Sequence, residues 1–319
     1  MTSKDGIVNN RVGYYDIAKF FAIISVIYGH CIQHYLDKDP LYNPLYLFIY
    51  SFHMPLFMII SGYFSSNSLK LDLKSFIKKK SIQLLLPYCS WQLISVLIKF
   101  LLNDIDIESI VRYDFWFLMS LYICSIFAWF LCHIRRPYQI LFLIGSIIIT
   151  QVGLFRLKDM YPSFLLGLLL FRKEDWIKKY KRELTLSILL LCVVLLYFTL
   201  NEHFFEVGFT PEGLLRQVNI IVVGSGLSFL IIRLCEFLEN KIPSLFLKLG
   251  QYTLGIYLVQ SLLFTCTKEV VSFADITPVV TYFVIFPIIT VLFVTISMFI
   301  ITTIEKNNVL SLLLLGKRK

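Results

Sequence analysis

Residues 11–36 read RVGYYDIAKFFAIISVIYGHCIQHYL, and this stretch decides the fold. From residue 14 to residue 36 it is almost wholly apolar, close to the roughly 20 residues a helix needs to cross the hydrocarbon core of a bilayer. Asp16, Lys19, His30 and His34 interrupt it. Such groups are costly in lipid, so a span that keeps them must turn them toward a protein interior. At 100° per residue, Lys19 and His30 fall within about 20° of one another on the helical wheel, about 16 Å apart along the axis. Asp16 stands one turn before Lys19 and can pair with it.

The same apolar pattern recurs along the chain, with spans expected near 14–36, 42–65, 82–102, 115–133, 138–155, 160–172, 184–200, 214–236, 249–266 and 277–303. The sixth is short and suits a partial span enclosed by its neighbours. The 319 residues are 57% hydrophobic and 16% charged, with a mean hydropathy of +0.74. Soluble domains carry about 25% charged residues, and no water-soluble core of this size buries so much apolar surface. The expected fold is therefore an all-α integral membrane protein, one domain over residues 1–319 built as a bundle of about ten transmembrane helices.

Orientation follows from the basic residues. With an even number of spans, 22 of the 30 lysines and arginines fall on one side. Prominent there are Lys70 to Lys80, Arg172 to Arg182, and the tail with Lys317, Arg318 and Lys319. Excess Lys and Arg in short loops marks the cytoplasmic side, so both termini are expected there. The net charge of +9 is thus a topology signal and no sign of a nucleic-acid partner. The first apolar run is long, charged and without a small-residue cleavage site, so it is expected to remain as the first span. The seven cysteines sit in or beside apolar segments without CxxC or Cys/His ligand spacing, so neither a disulfide framework nor a metal site is indicated.

All connecting loops are short, so any chemistry must come from residues within or beside the bundle. His30 lies past the midpoint of its span, too deep for easy snorkelling, and is the first catalytic candidate. The second span contains YSFHMPLFMIISGYFSS (50–66). It adds His53, and Pro55, which removes a backbone donor and frees the Ser51 carbonyl. Antiparallel pairing of spans one and two brings both histidines to a similar depth. Thr253, Tyr257 and Gln260 form a polar stripe at i, i+4, i+7 that suits interhelical bonding or a substrate wall. Trp116, in DFWFL (114–118), suits an interfacial anchor or a substrate contact.

RVGYYDIAKFFAIISVIYGH (11–30) resembles the opening helix of the membrane-bound acyltransferase 3 family, where an aspartate, a basic residue and a histidine eleven positions later are expected. Here these are Asp16, Lys19 and His30, with lysine where arginine is common. FHMPLFMIISGYF (52–64) resembles the fucose 4-O-acetylase-like branch and brings His53. LLLPY (84–88), FLLGLLLFRK (164–173) and LGQYTLGIYL (249–258) are similar in place and order.

The resemblance implies a ten-helix plasma-membrane (inner-membrane) enzyme. It would transfer an acyl group, acetyl first, from cytoplasmic acyl-CoA to a hydroxyl of a cell-surface or exported carbohydrate. Acetyl-CoA would be a donor substrate, with no permanently bound cofactor, and self-association stays open. His30 and His53 would carry the chemistry, while Asp16, Lys19, Arg11, Trp116 and Tyr257 would bind donor or substrate. His30 would serve as general base or be transiently acylated. The rival reading is a transporter or flippase, which shares membrane-depth ionisable groups and kinked helices. Neither an inverted repeat nor matching broken helices supports it.

Overall fold

The computed structural model describes residues 12–36, 39–102, 114–151, 154–201, 211–268, 270–273 and 276–317. Helices account for nearly all of them, and no strand occurs among the described residues. Six helices are long and apolar enough to cross a membrane: Gly13–Tyr35, Pro44–Phe64, Leu73–Leu101, Trp116–His133, Gln217–Lys241 and Pro278–Ile304. Arg136–Thr150 and Thr253–Thr267 are apolar but shorter.

The first two, α1 (Gly13–Tyr35) and α2 (Pro44–Phe64), form the centre. Their apolar windows are 72% and 67% buried, against 28–39% for the other four. The peripheral helices instead present large side chains outward, such as Phe283, Val291 and Phe299 on Pro278–Ile304. An exposed apolar face of that extent suits lipid rather than water. α2 begins where its sequence allows: the Asn43 side chain accepts from the Leu45 and Tyr46 N–H groups, and Pro44 takes the first position, where no N–H is needed.

The third helix opens with α3 (Leu73–Lys80), capped by Asp72, which accepts from the Ser75 N–H at 3.1 Å. A wider π turn over Ser81–Leu85 leads into α4 (Leu86–Leu101). A second π turn spans Thr281–Ile285. Each is followed within two residues by a proline, Pro87 and Pro287, whose missing N–H leaves the normal ladder incomplete. The basic 70–80 segment therefore runs straight into the membrane helix as one element.

α5 (Trp116–His133) and α6 (Arg136–Thr150) follow, then α7 (Leu157–Arg172). α7 packs tightest against α2, because glycines let the two backbones meet. A Cβ on Gly62 would land 2.1 Å from the Phe164 carbonyl oxygen, and one on Gly167 would land 2.0 Å from that of Ile59. Small residues at such contacts are how membrane helices approach closely. Next come α8 (Glu174–Lys179), α9 (Lys181–Asn201) and α10 (Pro211–Leu238). α10 closes on the proline kink of α2: Gly224 faces the Ser51 carbonyl, and Ser228 donates to the Phe52 carbonyl at 3.3 Å.

The expected ninth span, 249–266, is not one helix. The chain turns at Tyr252 between α11 (Ser244–Gln251) and α12 (Thr253–Thr267). α11 lies against the start of α1, where Gly250 admits the Asp16 carbonyl and Phe246 meets Phe20 edge-on. The fifth stretch ends at Thr150 rather than 155, and the sixth begins at Leu157. The one-turn α13 (Pro278–Val280) leads through the π turn into α14 (Phe286–Ile304). The tail helix α15 (Asn308–Leu315) packs onto α4, accepting from Trp91 Nε1 at the Leu314 carbonyl, 2.7 Å.

Candidate functional site

His30 sits two turns from the end of α1, half-buried. Its Nδ1 lies 3.0 Å from Gln33 Oε1, and the Tyr50 hydroxyl donates to the same Gln33 oxygen at 2.9 Å while standing 3.3 Å from His30 Nδ1. An amide oxygen only accepts, so His30 carries its proton on Nδ1 and leaves Nε2 with a free lone pair. His34 stacks on His30 at 5.6 Å, and Phe264 of α12 packs against both rings, 5.5 Å from His30 and 5.4 Å from His34.

His53 is 3% exposed. Its Nδ1 donates to the Ile49 carbonyl of its own helix at 2.6 Å, which assigns it the same tautomer. No hydrogen bond joins the two histidines among the described residues. Tyr50 stands between them instead, its ring edge-on to His53 at 4.7 Å. Both histidines thus lie beside Tyr50 at one level of the α1–α2 pair, and the side chains that hydrogen-bond His30 are Gln33 and Tyr50.

At the other end of α1, Asp16 and Lys19 form the expected ion pair at 2.5 Å, with the Asp16 side chain 5% exposed. Arg11 lies outside the described residues. Tyr257 is buried against Phe115 and Phe117. It sits two turns, about 10 Å, from Phe264 and so does not touch His30. Its hydroxyl faces the Phe117 backbone N–H, while the Gln260 Oε1 on the same stripe is buried without a hydrogen-bond partner. Buried polar atoms are rarely left so. The Thr253–Tyr257–Gln260 stripe thus faces the protein interior, between the levels of Lys19 and His30.

Tyr50 also walls a cavity of about 300 Å³ at the His30 end of the bundle, lined further by Met54, Pro55, Arg156, Asp159 and Ile221. Phe155 and Arg156 both adopt left-handed backbone, φ 49° and 54°, a conformation costing of order 1–3 kcal/mol at a non-glycine residue. Neighbours hold it in place. Ser120 donates to the Phe155 carbonyl, the Arg156 guanidinium lies 5.5 Å over the Trp116 ring, and Arg156 Nε stands 3.7 Å from Asp159 Oδ2. Trp116 is therefore the seat of Arg156.

A second polar cluster lies between α4 and the start of α5. Lys99 and Asp114 pair at 2.6 Å with side chains 7% and 17% exposed, and Ser95 donates to the same carboxylate oxygen at 2.5 Å. Neither Lys99 nor Arg156 stands out in the sequence. Neither do Gln33 and Tyr50, although each stands three residues from a histidine on its helix, the spacing that puts side chains on one face.

Comparison with known proteins adds to the geometry. Nodulation protein NolL of Mesorhizobium japonicum is 33% identical over 190 residues, covering 53% of this chain and 50% of that protein. Nodulation protein NolL of Sinorhizobium fredii is 39% identical over 87 residues, covering 26% of this chain and 24% of that protein. The chain thus aligns with about half the length of the first and a quarter of the second. No solved structure matches it. The family model described as an acyltransferase domain, acyltransferase 3, matches residues 12–302, and the chain belongs to that family.

Proposed function

We propose that the chain is a membrane-embedded O-acyltransferase of the plasma membrane. It would transfer an acyl group, acetyl first, from cytoplasmic acyl-CoA to a hydroxyl of a cell-surface or exported carbohydrate. One observation carries the reading: His30, on the central helix α1, is held by Gln33 and Tyr50 with Nε2 free, on a helix whose other end bears Asp16 and Lys19. A general base and an acylated nucleophile both need that lone pair.

On this reading the bundle has ten membrane helices in a single domain, with both termini cytoplasmic. Lys19, with Arg11, attracts the donor's phosphates. The thioester arm runs about 16 Å up the bundle, past Tyr257 and the unpartnered Gln260 oxygen. In direct transfer, His30 Nε2 takes the proton of the acceptor hydroxyl as its oxygen attacks the thioester carbonyl. Collapse of the tetrahedral adduct expels the CoA thiolate, which recovers the proton from the imidazolium, leaving ester, free CoA and neutral His30. The FHMPLFMIISGYF motif (52–64) favours the fucose 4-O-acetylase-like branch.

The test is release of free CoA by purified protein in lipid, with acetyl-CoA and a glycan extract, wild type beside His30→Ala. Glycan-dependent release that disappears in a folded His30→Ala protein supports the reading. Retained release in the variant removes His30 from the chemistry, and no release by folded wild type overturns acyl transfer.

A further inference from the structure

The cavity beside Tyr50 contains a carboxylate oxygen without a partner. Asp159 lines it, and Asp159 Oδ1 is buried with no hydrogen bond, while Oδ2 faces Arg156 at 3.7 Å. A carboxylate oxygen can only accept, and a buried acceptor left unmet is costly, so the position calls for a ligand that brings a donor. Beside it the Arg156 guanidinium presents N–H groups that only donate. An acceptor next to a donor fork complements two adjacent hydroxyls, each of which both donates and accepts. Met54, Pro55 and Ile221 supply an apolar wall for the C–H face of a ring. The volume, about 300 Å³, is at the small end for ligand pockets and suits one sugar ring rather than an oligosaccharide.

We propose that this cavity is the acceptor subsite, in which Asp159 and Arg156 grip adjacent hydroxyls of a single sugar residue and Tyr50 forms the wall on the His30 side. The proposal rests on the acyl-transfer reading and specifies where the acceptor sits and of what class it is. Tyr50 couples the two halves, since its ring lines the cavity while its hydroxyl reaches Gln33 and His30. Lys158 also lines the cavity, so two cations stand against the single Asp159 carboxylate. The left-handed Phe155–Arg156 pair directs Arg156 into the cavity, and Trp116 supports it from behind.

Binding of methyl α-L-fucopyranoside, methyl α-D-mannopyranoside, methyl α-D-glucopyranoside and methyl α-D-glucuronide to protein in lipid nanodiscs would be measured by saturation-transfer NMR. The proteins are wild type, Asp159→Ala and Asp159→Asn. CoA release with acetyl-CoA, with and without glycan extract, is followed on the same preparations. The expected result is binding of at least one of the glycosides, and weakening of about tenfold or more in Asp159→Ala. Asp159→Asn, which keeps the shape and one acceptor oxygen, should lose less and reports the effect if Asp159→Ala does not fold. Wild type that binds none of the glycosides, or variants that bind them and use the glycan extract as wild type does, overturns the subsite while leaving acyl transfer standing. Absence of any CoA release from wild type overturns acyl transfer itself.

Discussion

Tyr50 and His30 meet at 3.3 Å across the α1–α2 interface, and both bond the same Gln33 oxygen. A tyrosine on one helix and a histidine on the other are thus locked by a third side chain one turn above the histidine. The arrangement holds the imidazole in one orientation and one tautomer without using any group that must itself change protonation state.

Removing that lock should affect turnover more than binding. Gln33→Leu leaves His30 free to place its proton on Nε2, and a general base in the wrong tautomer is idle. Turnover should fall by about 10²-fold, the low end of what a positioned base contributes, with the donor KM unchanged. Steady-state CoA release at saturating acceptor checks it. A variant with wild-type turnover would remove the tautomer argument.

Trp116 should matter through Arg156. Trp116→Leu removes a cation–π contact of about 0.5–1 kcal/mol and leaves Arg156 free to leave the cavity. The acceptor KM should rise a few-fold while glycan-independent CoA release is preserved. Equal losses in both would point to a general packing role instead.

The buried Lys99–Asp114 pair should behave asymmetrically. Lys99→Met strands a carboxylate among α4, α5 and Ser95, at a cost of about 3–5 kcal/mol when one partner of a buried pair is removed. Lys99→Met combined with Asp114→Leu should recover most of that stability. Thermal unfolding in a fixed detergent, with the single and double variants side by side, reads the difference.

Helix contact through glycine should be intolerant of bulk. Gly167→Val would drive its Cβ into the Ile59 carbonyl, 2.0 Å away, and separate α7 from α2. Overpacking of this kind costs about 1–3 kcal/mol or more, and it should lower both the unfolding temperature and the yield of folded protein. Gly145→Val, whose Cβ meets nothing within 4 Å, should leave both unchanged.

Much of the site was legible along single helices. Asp16 with Lys19 follows from helical spacing alone and is found as expected, and Lys19 and His30 lie on one unbroken helix. Gln33 and Tyr50 were within reach of the same rule, each three residues from a histidine, but an amide and a phenol carry no charge to draw attention within an apolar run. Arg156, Asp159 and Trp116 were not legible together. Trp116 and Arg156 are forty residues apart in sequence, and their meeting depends on how α5 and α7 pack. The break at Tyr252 was hidden because residues 249–258 remain apolar across it, and hydropathy cannot distinguish a bend from a continuous span.

The sequence by itself determined a helical membrane protein and put two histidines deep in its first two spans, because bilayer thickness and helical periodicity act on neighbouring residues. Only the tertiary structure decided that Tyr50 stands between those histidines and that Asp159 is left with a bare oxygen in a cavity. Those relationships arise from side chains of separate helices, whose spacing and rotation are set by backbone contacts at Gly62, Gly167 and Gly224. Close packing of that kind has no period in the chain from which it could be read.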